Sequence, residues 1–349
     1  MKGLKIFSLA FFSYLFLALY SNYFDKNLSD MIYAKGFSSS MLLMGTFFSL
    51  IFFSFMILGY LKPIRLSERA LILSILLLSL FEIPWAPLVA VILVITYWRK
   101  INPSVLHAPL CLFSAIITLF IVYSVKGIPF VQPALRYKLV GFLVMSAFLG
   151  LVAIIYLKTS TKIKTLLLLL FEVLLFLGTF RSLMILIFMG YIFDLYFEGE
   201  LKLDMKISLG LFAVAASVLY LSHGFERLMV RIGFTFLVFH NIVRLSIPSG
   251  IFHGRLLMSD NPRYLIGKLF GTDMHYTYFL FGQPIADFGV LGVIEAYLFG
   301  VFLKHAEENP RTTALVLSLM IYIIETGMDA FSLLLILSAL LFRDIEASD

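Results

Sequence analysis

Arginines and histidines gather in one stretch of this sequence. Residues 223–278 hold Arg227, Arg231, Arg244, Arg255, Arg263 and Lys268, together with His223, His240, His253 and His275, four of the six histidines in the chain. A guanidinium donates paired hydrogen bonds to phosphate oxygens, so such a set suits a phosphate or diphosphate. Imidazole and carboxylate groups accept protons from hydroxyls, which is the work of a general base. The carboxylates nearest in kind are Asp287, Glu325 and Asp329, and a further arginine, Arg181, sits at the break Gly178-Thr179-Phe180-Arg181. Other reactive types are sparse. Cys111 is the lone cysteine, so no intrachain disulfide or zinc cluster is expected. There is no Asp-x-Asp pair, and Glu198-Gly199-Glu200 is the nearest substitute. P-loop, dinucleotide and His-Glu-x-x-His patterns are absent too, so no metal, nucleotide or other cofactor is expected.

The elements that must carry these residues are membrane helices. Apolar residues make up 61% of the 349, charged residues 14%, and mean hydropathy is +0.99. A soluble core cannot hide that excess, which lipid must solvate. Runs of spanning length fall at 4–22, 40–61, 106–125, 138–157, 206–222 and 282–303. Three longer runs, 70–98, 164–197 and 312–342, are interrupted at Glu82–Pro87, Gly178–Arg181 and Glu325–Asp329 and read as helical hairpins, the first and third with arms short enough to be re-entrant rather than fully spanning. Basic residues flank these hairpins on both sides: Lys62, Arg65 and Arg69 against Arg99 and Lys100, Lys158, Lys162 and Lys164, then Lys304, Arg311 and Arg343. Cytoplasmic retention of lysine and arginine then requires each hairpin to return. The expected fold is all-α and polytopic, a single membrane domain over 1–349 with about 12 transmembrane helices and both termini cytoplasmic. The net charge of +6 is this topological signal and implies no nucleic acid.

In that topology 223–278 is one large external loop within the membrane domain. Its segment Arg227–Leu245 is mostly apolar and is expected to form a helix lying at, or dipping into, the outer interface. Arg181, Glu325 and Asp329 sit at outward hinges, and Asp287 begins a helix on the same side. Charges at membrane level are costly and mark function. A cationic site facing outward at that level suits an anion that is also a lipid, such as a polyprenyl diphosphate. The simplest chemistry there is glycosyl transfer from a lipid-linked sugar, with arginines neutralising the leaving diphosphate. Charge placement singles out Arg231, Arg244, His253 and Glu325. Arg227 and Arg263 read equally as contacts to headgroups or solvent, and His223, His240 and His275 as helix-end or interface residues. The phenylalanine-rich runs read as lipid-facing bulk.

The run Gly250-Ile251-Phe252-His253-Gly254-Arg255 and the stretch Tyr278–Gly292, which contains Gly282-Gln283-Pro284-Ile285-Ala286-Asp287-Phe288-Gly289, resemble the O-antigen polymerase (Wzy-type) or oligosaccharide repeat-unit polymerase family. The Gly178–Ser182 turn is similar to that family's arginine-bearing turn. The resemblance spans 178–303 and carries over Arg181 and Arg255 as diphosphate contacts and Asp287 as a catalytic residue. It implies an inverting, metal-independent glycosyltransferase that polymerises lipid-linked repeat units outside the cytoplasmic membrane. The implied partners are polyprenyl- or dolichyl-diphosphate-linked oligosaccharides, the bilayer, a chain-length regulator and a flippase. Two readings stand beside it. An O-antigen ligase shares the layout and hands the glycan to another acceptor. A 12-helix transporter or flippase of anionic lipids suits the helix count, but it would show a repeat between halves and charge near the midplane.

Overall fold

The computed structural model describes residues 1–24, 28, 42–80, 86–201 and 224–346, and every regular element among them is a helix. By contact the chain divides into two compact units. One comprises Met1–Val91, Leu203–His305 and Ile323–Leu337; the other comprises Ile92–Lys202, Ala306–Tyr322 and Ser338–Asp349.

The helices are α1 (Lys2–Phe24), α2 (Leu43–Leu61), α3 (Glu68–Ser79), α4 (Ala86–Trp98), α5 (His107–Lys126), α6 (Leu135–Tyr156), α7 (Thr161–Leu177) and α8 (Arg181–Phe197). After residues 202–223, which lie outside the described residues, come α9 (Gly224–Ser246), α10 (Arg255–Met258), α11 (Pro262–Leu269), α12 (Gly282–Phe288), α13 (Val293–Ala306), α14 (Pro310–Thr326) and α15 (Ala330–Glu346). Two Asn-Pro pairs set helix starts. Asn261 accepts from the Tyr264 N–H at 3.3 Å and Asn309 accepts from the Arg311 N–H at 2.9 Å, each with proline in the first helical position. Proline has no N–H to satisfy there, and asparagine supplies the cap.

Among the described residues, six helices are long and apolar enough to cross a membrane, counting Gly282–Ala306 as one. The chain is therefore polytopic, yet the twelve expected spans are not all of crossing length. The paired arms α3 and α4 have 12 and 13 residues, and α7, α8, α14 and α15 have 17 each. At 1.5 Å per residue these reach about 18–26 Å, short of a hydrocarbon core of about 30 Å. The expected span 206–222 and the sequon at Asn27 lie outside the described residues, as do hinge residues 82–85.

The segment Arg227–Leu245 is also longer and better packed than an interfacial helix requires. It belongs to the 23-residue α9, which is itself of crossing length. Residues 232–243 of α9 are buried apart from Phe234. Ser21 Oγ donates to the Met229 carbonyl at 2.6 Å, and the Asn22 amide donates to the Gly233 carbonyl at 2.8 Å, fastening α9 to α1. The Gly45 N–H of α2 donates to His240 Nδ1 at 3.2 Å.

Phenylalanine builds the core of the first unit. Phe11 stacks on Phe53 at 4.3 Å between centroids and meets Phe279 at 5.6 Å, and Phe236 meets Phe279 edge-on at 5.6 Å. Offset and edge contacts of this kind add to the area they bury. Phe12, Phe16 and Phe24 remain exposed, as lipid-facing bulk would be.

In the second unit, Tyr123 of α5 donates to the Leu174 carbonyl at 2.6 Å, and the Phe130 N–H donates to the Leu177 carbonyl at 2.9 Å. The α7 and α8 helices are joined through a buried Lys164–Asp194 ion pair at 2.5 Å. Arg311 pairs with Glu198 at 2.7 Å.

Candidate functional site

Asp287 organises the first unit's polar end. Its side chain is completely buried, yet it accepts four hydrogen bonds. Oδ1 takes the N–H groups of Gly254 at 3.0 Å and Leu256 at 2.9 Å; Oδ2 takes the Leu257 N–H at 3.0 Å and the Gln283 amide at 2.9 Å. A buried carboxylate held by that many donors is well compensated for its lost water. The backbone repeats the grip. Ile251 and Phe252 donate to the Ala286 carbonyl at 2.7 and 3.0 Å, and His253 donates to the Asp287 carbonyl at 3.0 Å. The segment 250–257 is thus zipped onto α12, some thirty residues further along the chain.

Glycine permits this approach. Gly250 has φ +82, and a Cβ there would run into the Asp287 carbonyl; Gly289 has φ +58, and its Cβ would run into the Pro248 carbonyl. At Gly289–Gly292 the expected continuous span 282–303 changes to one 3-10 turn before α13 resumes. The zipped segment presents two exposed side chains, His253 and Arg255. His253 is held at φ 50, a left-handed conformation that side chains rarely adopt.

The second feature is the hinge between α14 and α15. Each hinge carboxylate faces an arginine. Glu325 pairs with Arg231 of α9, and Asp329 stands 3.9 Å from Arg263 of α11. Asp329 Oδ1 also accepts from the Ser332 N–H at 2.8 Å, capping α15. Tyr278 joins the two features. Its ring lies where a Cβ on Gly327 would be, its hydroxyl donates to the Met328 carbonyl at 2.9 Å, and Asp287, Asp329 and Arg263 are all within electrostatic reach. Burial, with the Asp329 carboxylate second, pushes this phenol well above the ordinary tyrosine range.

The third feature is a recess of about 190 Å³ between α10 and α11, lined by Arg255, Ser259, Asp260, Asn261, Tyr264 and Leu265 among others. Since α11 also carries Arg263, one short helix borders both the recess and the hinge.

The expected site residues are only partly assembled. His253, Arg255 and Asp287 share one loop-and-helix contact, and Arg231 meets Glu325. Arg244 is exposed near the other end of α9, hydrogen-bonded to Asn241 at 3.3 Å. Along the helix axis it is about 20 Å from Arg231, too far to share one diphosphate. Arg181 is the exposed first residue of α8, in the second unit, after Thr179 at φ 63. His240 is a buried packing residue and His223 lies outside the described residues. Gln283 and Tyr278 were not singled out from sequence, and Arg263, read there as a headgroup or solvent contact, instead faces Asp329. The first two look like ordinary members of an apolar run, and only their long-range contacts reveal them. Among the described residues, no three His, Cys, Asp or Glu side chains group as metal ligands.

Multiple apolar helices of crossing length define a multi-pass membrane protein, in which a clamped loop presents histidine and arginine and arginine–carboxylate pairs meet at a hinge. The chain belongs to the O-antigen polymerase family, whose sequence profile matches residues 5–337. Membership makes it a membrane polymerase of oligosaccharide repeat units, acting on lipid-linked oligosaccharides. No curated protein and no solved structure matches it.

Proposed function

We propose that the chain polymerises lipid-diphosphate-linked repeat units on the outer face of the cytoplasmic membrane, by a single inverting displacement without a metal. The observation that carries this reading is the zipped segment, whose clamped backbone carries two exposed side chains, His253 and Arg255. An acceptor sugar hydroxyl attacks the anomeric carbon of the donor, and the bond from that carbon to the diphosphate oxygen breaks. The hydroxyl proton passes to His253, or to Glu325 when substrate displaces it from Arg231. The leaving polyprenyl diphosphate carries its charge away against Arg255 and Arg231. Attack opposite the leaving group inverts the anomeric centre. Asp287 acts by position: all its acceptor capacity is spent on the loop and Gln283. Cytoplasmic termini, a chain-length regulator and a flippase belong to the same proposal.

The test is elongation by the full-length protein in lipid nanodiscs, with the host's lipid-linked repeat unit and EDTA present. A glycan ladder that is lost in Arg255→Ala, His253→Ala and Glu325→Gln proteins of unchanged melting temperature supports the reading. Transfer of a single glycan to a different acceptor would instead indicate a ligase. Lipid flipping with no elongation would overturn the enzyme reading.

A further inference from the structure

The recess between α10 and α11 has a mixed polar complement that a bare anion would not need. Asp260 is exposed and has no partner among the described residues. Asn261 spends its side-chain oxygen on capping the Tyr264 N–H at 3.3 Å, which leaves its NH2 unspent among the described contacts. Ser259 Oγ accepts from the Asn261 N–H at 3.0 Å and keeps its own proton to donate. The Tyr264 ring is fixed by its neighbours: its hydroxyl donates to Asp273 at 3.3 Å, and Lys268 Nζ lies 5.3 Å from its centroid. The recess thus offers an acceptor, two donors and an aromatic surface. Sugar hydroxyls both donate and accept, and the C–H face of a pyranose packs on aromatic rings. A carboxylate in the lining disfavours a free phosphate as the occupant.

Size narrows the occupant further. At about 190 Å³ the recess is smaller than the pockets of roughly 300 Å³ and upward that enclose drug-sized ligands. One sugar ring fits, and a whole repeat unit does not. Arg255 lines the same recess. In a lipid-linked oligosaccharide, the ring that carries an anion beside it whatever the sugars is the ring esterified to the diphosphate.

We infer that this recess is a saccharide subsite for the diphosphate-bearing sugar of the lipid-linked oligosaccharide. Asp260, Asn261 and Ser259 read the hydroxyls, Tyr264 packs on the ring, and Arg255 meets the diphosphate. The inference rests on the polymerase reading and adds to it the ring that the enzyme recognises.

The experiment compares two water-soluble probes on full-length protein in nanodiscs. One is the host repeat unit on a short prenyl diphosphate, and the other is the same prenyl diphosphate without sugar. Asp260→Asn is expected to weaken the first roughly tenfold, in line with loss of one hydrogen bond to a charged group, and to leave the second unchanged. Arg255→Ala is expected to weaken both. Asp260 is exposed, so its substitution does not threaten folding, and Tyr264→Ala provides a second variant with the same expected pattern. Equal effects of Asp260→Asn and Tyr264→Ala on the two probes, or no effect on either, overturn the subsite. Elongation by the wild-type protein is measured in parallel. A ladder with sugar-blind variants sinks the subsite alone, whereas no ladder from the wild type sinks the polymerase reading beneath it.

Discussion

Replacing Asp287 with asparagine separates support from chemistry. The carboxylate accepts from Gly254, Leu256, Leu257 and Gln283, two donors on each oxygen. An asparagine can keep the pair on one oxygen, but its NH2 then faces the other two donors. Gln283 can turn away, whereas the Leu257 N–H is fixed by the backbone and loses its partner. A buried donor left unsatisfied costs about 1–3 kcal/mol. Taking about 2 kcal/mol, opening of the segment becomes roughly thirtyfold more frequent. Hydrogen exchange read by mass spectrometry, on protein in nanodiscs, should show that acceleration in peptides covering 250–258 and none in α6. Elongation should fall with it. An Asp287→Asn protein with native exchange at Gly254, Leu256 and Leu257 but no elongation would refute the positional role, since the carboxylate would then be acting on substrate.

The other predictions are local. Gly250→Ala forces a Cβ toward the Asp287 carbonyl at φ +82 and should destabilise the same segment by about 1–3 kcal/mol, visible as faster exchange of 250–258 with α9 unaffected. Tyr278→Phe removes the buried bond to Met328 and should cost about 1 kcal/mol, measured as a lower melting temperature in detergent. Because the folded protein raises the Tyr278 pKa, its stabilising neutral form is matched in the unfolded chain only below the ordinary tyrosine value of about 10. Stability is therefore expected to be full below that pH and to decline above it, which a melting series from pH 7 to 11 checks. Glu325→Gln breaks a partly exposed pair and should change stability by less than about 1 kcal/mol while reducing elongation at least tenfold, so melting and activity are measured on the same preparation. Lys268→Ala removes an exposed pair with Asp273 and should leave the melting temperature unchanged.

Hydropathy revealed the frame because long apolar runs bounded by lysine and arginine have few other readings. The expected 4–22 and 106–125 appear as Lys2–Phe24 and His107–Lys126. It was less informative where one run serves two purposes. Residues 227–245 combine arginines with apolar bulk, and sequence alone did not distinguish a helix on the surface from one tied to α1 through Ser21 and Asn22. The site was legible as types of residue, not as contacts. Charge pointed to Arg231, His253 and Glu325, but no local pattern tells that Asp287 would spend three hydrogen bonds on a segment thirty residues earlier. Nor does spacing alone show that Arg231 would find Glu325, since that contact depends on α9 packing beside the hinge.

The buried ion pair of the second unit bears on how the protein is made. Lys164 and Asp194 lie near the open ends of α7 and α8, only 6% and 1% exposed, and the two helices are joined by the short turn Gly178–Phe180. Presented singly to the insertion machinery, each helix would bring an uncompensated charge toward lipid, at up to about 3 kcal/mol if it sat at mid-depth. Entering together as a hairpin, the two charges neutralise one another before either meets hydrocarbon. The turn Gly178–Phe180 is then the leading edge of that hairpin, drawn into the membrane by helices that depend on each other to enter it.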